Sequence, residues 1–320
     1  MIAKSRLESE ADLYEQVETF FRSTFSTDNR IITEAIKRML SAGGKRLRPR
    51  ITLLSSAACG GNPVEHLHLA AYMELIHVAT LVHDDVVDNA QTRRGVNATA
   101  VDYGNRFSVL AGDYLFAWIF KNVTSTYAPP IPNILSATLA DICDGEVLQL
   151  RATGDLDLGV DAYVEVARKK TASLFAASAQ CGAIVGGGTT ADVLALQAYG
   201  DAFGVAFQMK DDLLDVTADE RSLGKPVGND LTERKVTIPL IEAMARGDRD
   251  FQSDVRRFYG GNDNAALPAI VDGIARQGGL AGTRERIAAF VRQAKQALEP
   301  IAAGTAKTSL ANLADALLVE

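Results

Sequence analysis

Between about residues 64 and 90 the spacing predicts one long helix that is apolar on most of its sides. Leu67, Leu69, Ala70, Ala71, Met73, Leu75, Ile76, Val78, Ala79, Leu81 and Val82 leave it almost no polar stripe. At 1.5 Å per residue such a helix is about 40 Å long. A helix that is apolar all round belongs in the middle of a bundle. The segment nevertheless ends in charge, at Asp84-Asp85-Val86-Val87-Asp88. Burying it requires wrapping it in other helices, with its charged end at one mouth of an internal apolar cavity.

The rest of the chain supplies those helices. Period-3.6 apolar spacing recurs over about 10–41, 46–59, 105–126, 132–150, 161–185, 190–217, 235–246, 250–258, 264–276, 280–298 and 305–319. Gly60-Gly61-Asn62-Pro63, Pro129-Pro130-Ile131-Pro132, Gly186-Gly187-Gly188 and Gly260-Gly261-Asn262 punctuate it. No alternating run flanked by turns is present, so no sheet is expected. No linker divides the 320 residues. The reading is all-α: a single domain over 1–320, a helical bundle around a central apolar cavity, long enough to bury a sizeable core.

A net charge of −7 argues against nucleic acid as the main partner. It leaves room for an anionic substrate, because metal ions and local Lys or Arg reverse the sign inside a site. Cys59, Cys143 and Cys181 are odd in number and lack Cys-x-x-Cys spacing, which excludes a disulfide framework or zinc site as the expectation and favours a reducing, cytoplasmic compartment. The first residues lack the apolar core of a signal peptide, and no stretch approaches 18 apolar residues.

A second cluster, Asp211-Asp212-Leu213-Leu214-Asp215, repeats the pattern of the first. On a helix Asp84 and Asp88 share a face, as do Asp211 and Asp215, and like charges so placed are mildly destabilising. Both clusters lie among apolar neighbours, where carboxylates need a compensating cation. Two clusters can hold several hard divalent ions, and a diphosphate is the natural ligand of those ions. Basic residues accompany them. Gly43-Gly44-Lys45-Arg46-Leu47-Arg48-Pro49 combines free backbone N–H groups with three cations near a helix start, which suits a phosphate. Arg93-Arg94-Gly95 follows the first motif; Gly224-Lys225-Pro226 and Lys235 follow the second; Lys169-Lys170-Thr171 lies within a helical stretch. His77 stands two turns before Asp84, and Gln208 one turn before Asp212. Singly, each has a bland reading: a solvated acidic face, a charge at a helix end, a hydrogen-bonded histidine, an ordinary glycine loop. Two complete motifs, each followed by basic residues, outweigh those readings together.

With Glu74-Leu-Ile-His77, His83-Asp-Asp-Val-Val-Asp88, Gly112-Asp113, Gly145-Glu146, Phe207-Gln208-Met-Lys-Asp-Asp-Leu-Leu-Asp215 and Asp230-Leu231 added, the chain resembles the trans-polyprenyl diphosphate synthases, the family of the farnesyl and geranylgeranyl diphosphate synthases. The segments occur in family order over about 40–240. The run Ile76-His-Val-Ala-Thr-Leu-Val-His-Asp-Asp85 looks most like the long-chain members that make quinone side chains, such as octaprenyl diphosphate synthase.

The resemblance implies roles. Asp84, Asp88 and Asp211 would bind two to three Mg²⁺ ions, with Asp85, Asp212 and Asp215 completing the shells; Asp215 is counted among the metal ligands. Those ions would grip the diphosphate of the allylic substrate, assisted by Arg93, Lys170, Thr171, Gln208, Lys225 and Lys235. Isopentenyl diphosphate would sit on Lys45, Arg48, His77 and Arg94. The allylic carbon–oxygen bond would ionise, the isopentenyl double bond would attack, and a proton would leave. Water must be excluded from the cation, which an apolar tunnel provides. A homodimer is expected on the same grounds, with the apolar product released at a membrane surface.

Bulky aromatics four or five residues before the first motif mark short-chain relatives; here those positions hold the small Thr80 and Ala79. Ile76, Met73 and Tyr72 are the next candidates for a tunnel floor, with Phe116, Trp118 or Phe120 from a neighbouring helix. A product near octaprenyl is therefore expected, in the range hexaprenyl to decaprenyl. Two features depart from the family pattern: Lys210 before the second Asp pair, and the non-basic ending Ala-Leu-Leu-Val-Glu320. The rivals are a shorter-chain synthase, a class I terpene cyclase, a non-catalytic synthase subunit and a metal-binding interaction protein. The intact Asp211–Asp215 motif and the Lys45–Arg48 segment favour the synthase.

Overall fold

The computed structural model describes residues 10–93, 95–217, 227–261 and 264–319. Helices dominate it, as the periodicity predicts. The packing clusters into two compact units. One comprises Met1–Leu135, Ser178–Leu194 and Ile301–Lys307; the other comprises Ser136–Ala177, Ala195–Pro300 and Thr308–Glu320.

In the first unit, α1 (Glu10–Thr19) runs into a π-helical turn, Phe20–Thr24. A break at 25–29 then divides the single helix expected over 10–41. The reason is local: the Asn29 side chain caps α2 (Arg30–Ser41) by accepting the Ile32 N–H at 3.2 Å. Next come α3 (Leu47–Ala58), a 3₁₀ turn (Pro63–His66) capped by Asn62, and α4 (Leu67–Val87). Residues Leu69–Ile76, Val78, Ala79 and Val82 of α4 are buried. The all-round apolar helix is therefore the centre of its unit, with α6 (Asn105–Thr126) and α3 as its main neighbours. The expectation of no sheet is corrected: Thr92–Arg93 (β1) and Val96–Asn97 (β2) pair antiparallel as a minimal hairpin, followed by the short α5 (Thr99–Tyr103). Two-residue strands carry no alternating pattern to read.

The helix α7 (Ile131–Ala152) leads into the second unit. The helix expected over 161–185 begins there as α8 (Val160–Ala167), passes through a π-helical segment at Arg168–Ala172 and continues as α9 (Ser173–Val185), whose residues from Ser178 on belong to the first unit. Then follow α10 (Thr190–Thr217), α11 (Asn229–Thr232), α12 (Ile238–Arg246), α13 (Arg249–Gly260), α14 (Leu267–Arg276), α15 (Gly279–Ala297) and α16 (Thr305–Asp315). An aromatic stack fixes α9 on α10: the Phe175 ring lies 5.2 Å from Phe203 and 5.3 Å from Phe207. Lys210 has a structural role. Its ammonium donates to the carbonyls of Ala316, at 3.0 Å, and Val319, beyond the end of α16, where unpaired carbonyls attract a cation. Among the described residues no helix is long and apolar enough to cross a membrane.

Candidate active site

The first aspartate motif forms the end of α4. Asp88 closes the last turn, its N–H donating to Asp84 O at 2.8 Å. The helix stops on Asn89, which takes a left-handed φ of 52°, while the Ala90 N–H returns to Asp85 O at 2.9 Å. A helix C-terminus is a negative pole, and this one has no basic residue in its last turn. Three carboxylates there oppose both the pole and one another. Asp85 is fully buried. The hairpin compensates it by returning Arg93 to the helix, with Nε 2.7 Å and Nη2 2.6 Å from Asp85 Oδ1. Burial still pushes the Asp85 carboxyl up; Arg93 pulls it back, and Asp88 adds to the rise. Asp84 and Asp88 are half-buried and reach the surface. Arg94 lies outside the described residues.

The same turn explains the Gly112-Asp113 motif. The His83 ring lies on α6, with Nε2 3.0 Å from Val109 O and 3.4 Å from Asp113 Oδ1. A Cβ on Gly112 would come within 2.3 Å of that nitrogen, so only glycine admits the ring.

Around α3 the three cations read as phosphate ligands separate. Lys45 is exposed, and Arg48 lies in the first helical turn, 8% exposed. Arg46 is corrected to a structural residue. It is 2% exposed, its Nε lies 2.6 Å from Glu18 Oε1, its Nη1 lies 3.2 Å from Glu74 Oε1, and its guanidinium stands 5.2 Å from the Phe21 ring centre. Glu74 thus serves to hold the Gly43–Arg46 loop before α3. Further along α4, His77 is half-buried, and Thr80 turns its hydroxyl to His77 O at 2.8 Å. Ala79, Ile76 and Met73 are fully buried, and Tyr72 meets Trp118 edge to face at 6.0 Å.

The second motif lies in the last third of α10, and its aspartates also divide, here with one exposed and two buried. Asp211 is exposed. Asp215, 1% exposed, accepts the Asp230 N–H at 3.1 Å and so ties α11 to α10. Asp212, 4% exposed, accepts from Tyr163 Oη at 2.5 Å and from Gln208 Nε2 at 2.8 Å. Gln208 in turn accepts the Thr171 hydroxyl at 2.6 Å. Burial pushes the Asp212 carboxyl up to about 6 even though Tyr163 and Gln208 pull it down. The Tyr163 hydroxyl is raised well above its usual range, chiefly by burial and then by Asp212, so it remains a donor.

Tyr163, Thr171, Gln208 and Asp212 line a cavity of about 140 Å³ with Gln149, Lys170, Asp230 and Lys235. Lys170 and Thr171 project from the π-helical segment, a local distortion often found at functional sites. Lys170 Nζ lies 2.6 Å from Gln149 Oε1 and pairs with Glu146; Lys235 Nζ lies 2.7 Å from Glu233 Oε2. Lys169 turns away to Asp144 at 3.3 Å. The structure therefore gathers Lys170, Thr171, Gln208, Asp212 and Lys235 from the predicted residues. Lys225 falls outside the described residues. Tyr163 escaped the sequence reading. Its signal was a tyrosine two turns before Lys170 in an apolar stretch, which the periodicity alone assigns to the core.

The carboxylates that reach the surface, Asp84, Asp88 and Asp211, are hard oxygen donors of the kind magnesium takes together with phosphate and water. Asp84 and Asp88 stand at a negative helix pole where a cation is favoured, so the donor chemistry fits a magnesium ion. Among the described residues no group of three or more His, Cys, Asp or Glu is gathered closely enough to hold a metal by itself.

Comparison with known proteins is consistent across sequence and structure. The family model described as polyprenyl synthetase matches residues 29–273. The octaprenyl diphosphate synthase of Escherichia coli is 40% identical over 262 residues, covering 82% of this chain and 81% of that protein. The short chain isoprenyl diphosphate synthase of Methanothermobacter thermautotrophicus is 37% identical over 291 residues, 90% of each. The crystal structure of a polyprenyl synthase from Caulobacter crescentus, complexed with calcium and isoprenyl diphosphate, superposes with a TM-score of 0.91 at 35% identity, over 98% of this chain and 99% of that one.

Proposed function

This chain belongs to the polyprenyl synthetase family and is a prenyltransferase, and from that premise we propose that it extends an allylic diphosphate with isopentenyl diphosphate to a long all-trans product, about octaprenyl, for a quinone side chain. The observation that carries the long-chain reading is the fully buried, small Ala79 five residues before Asp84, with the half-buried Thr80 beside it. Tyr72 and Trp118 form the first aromatic contact further along, about 18 Å from Asp84 at 1.5 Å per residue.

Asp84, Asp88 and Asp211 are the residues we assign to magnesium, which when bound supplies Lewis-acid charge for the departing diphosphate. That the Caulobacter crescentus synthase is complexed with calcium and isoprenyl diphosphate supports a divalent ion here. Lys170, Thr171, Gln208, Lys225 and Lys235 orient the allylic diphosphate and offer preorganised charge where it develops. Lys45, Arg48, His77 and Arg94 hold isopentenyl diphosphate. Arg93 acts on the diphosphate through Asp85, which it neutralises. Apolar walls contributed by α4 keep water from the allylic cation. The attacking double bond forms the new carbon–carbon bond, and a proton leaves to restore an alkene.

The protein works as a homodimer in the cytosol and hands its product to a membrane surface. The exposed apolar side chains Val109 and Leu110 of α6, and Val147 and Leu150 of α7, support self-association. Light scattering tests it: a monomer at micromolar concentration would count against the dimer. A shorter product is the second reading, favoured by the short-chain synthase among the relatives. Incubation with farnesyl and isopentenyl diphosphates and Mg²⁺, followed by product chromatography, decides between them. A C15 or C20 end product would sink the long-chain assignment.

A further inference from the structure

The hydrogen bonds around Asp212 have forced directions. A carboxylate only accepts, so Gln208 must turn its amide N–H toward Asp212 and its carbonyl toward Thr171. The single Tyr163 proton goes to the other Asp212 oxygen. Both carboxylate oxygens are thereby held in the wall of a cavity that also contains Lys170 and Lys235. Those lysines, paired with Glu146 and Glu233, are the cations an anion in the cavity would meet, and an unrestrained carboxylate in a wall that already holds Asp230 would repel that anion. Resting on the reading of this cavity as a diphosphate site, we propose that Tyr163 is a positioning residue for diphosphate: it clamps Asp212, which organises Gln208 and Thr171 instead of ligating metal.

Asp212 then differs in kind from Asp211, the exposed member of the same motif. Loss of the Tyr163 hydroxyl leaves one oxygen of a buried carboxylate without its donor. The carboxylate is free to swing toward the cavity, and Gln208 and Thr171 lose their fixed orientation. A ligand-field role for Asp212 would couple any such loss to the metal; a positioning role does not.

The test is titration calorimetry of inorganic diphosphate at several Mg²⁺ concentrations, with wild type, Tyr163→Phe and Asp212→Asn. Tyr163→Phe is expected to weaken diphosphate binding about tenfold, the scale of a hydrogen bond to a charged group, with the Mg²⁺ half-saturation unchanged. Asp212→Asn is expected to leave that half-saturation unchanged as well. In steady-state kinetics the loss appears in KM for the allylic substrate and not in KM for isopentenyl diphosphate. Unchanged diphosphate affinity in Tyr163→Phe overturns the proposal. So does a rise of several-fold in the Mg²⁺ requirement of Asp212→Asn, or a wild type that binds no diphosphate. If Tyr163→Phe does not fold, Thr171→Val at the other end of the chain of hydrogen bonds must weaken diphosphate binding at constant Mg²⁺ half-saturation, and unchanged affinity there overturns it. A wild type that binds diphosphate yet makes no polyprenyl product sinks the proposed function alone.

Discussion

Gly145 lies directly against the backbone of Lys170: a Cβ built on the glycine would stand 2.4 Å from the Lys170 amide nitrogen. The contact brings α7 onto the π-helical segment and sets where the lysine emerges. Gly145→Ala must push the two apart, at about 1–3 kcal/mol for overpacking. The expected result is a lower melting temperature together with a raised KM for the allylic diphosphate. A variant with wild-type kinetics would show that the approach does not position Lys170.

Arg46→Met should be among the more damaging single changes in the first unit. It leaves Glu74, 2% exposed, without its cation, and strips Glu18 as well. Breaking a buried pair costs about 3–5 kcal/mol, which corresponds to a fall of roughly 10 °C in Tm for a chain of this size. Adding Glu74→Gln should recover part of that loss. Thermal unfolding of the single and double variants measures it, and a Tm within 2 °C of wild type would refute the structural role.

Replacing Asp84 and Asp88 together by Ala separates stability from activity. Two carboxylates leave a negative helix pole, so stability should hold or rise by a few tenths of a kcal/mol per charge. Turnover should vanish. Retained condensation activity would overturn the metal assignment.

Much of this arrangement was legible beforehand, because its signals are local. Period-3.6 spacing finds helices, and α6 and α10 fall where it places them, at Asn105–Thr126 and Thr190–Thr217. The aspartate motifs are contiguous, though the left-handed Asn89 that ends the helix after the first was not singled out. What escaped is whatever depends on an approach between distant segments. Arg46 reads as one of three loop cations, and only packing shows that Glu18 and Glu74 take it. Tyr163 reads as core until Asp212, 49 positions later, is found at its hydroxyl. The division of each motif into surface and buried aspartates is likewise invisible in five letters.

Product length should respond to volume along α4. Ala79→Phe places a ring where a fully buried methyl now sits, and is expected to shorten the main product by several isoprene units at a cost of about 1–3 kcal/mol in stability. Tyr72→Ala, which removes the contact with Trp118, should lengthen it. Chromatography of products from a common farnesyl primer reads both, and an unchanged distribution in the two variants would remove α4 from length control.

The three thiols should differ sharply in reactivity. Burial raises Cys59 to about 11, with Asp192 adding to the rise, and raises Cys181 to about 12. The reactive species is the thiolate, so at pH 8 its fraction is about one in a thousand for Cys59 and about one in ten thousand for Cys181. Cys143 is exposed. At most one thiol per chain should react quickly with a disulfide reagent in the native protein, and the slow pair should gain about tenfold per pH unit. Three fast thiols at pH 8 would contradict this burial.

The π-helical segment at Arg168–Ala172 has a consequence for how its helix is to be compared with others. A π turn accommodates roughly one residue more than an α turn. The helical wheel drawn through α8 therefore falls out of phase with the wheel drawn through α9 by about one position, and Lys170 and Thr171 stand at the change of phase. An alignment that deletes one residue anywhere in 168–172 would leave both flanking faces matched while rotating these two side chains off the cavity.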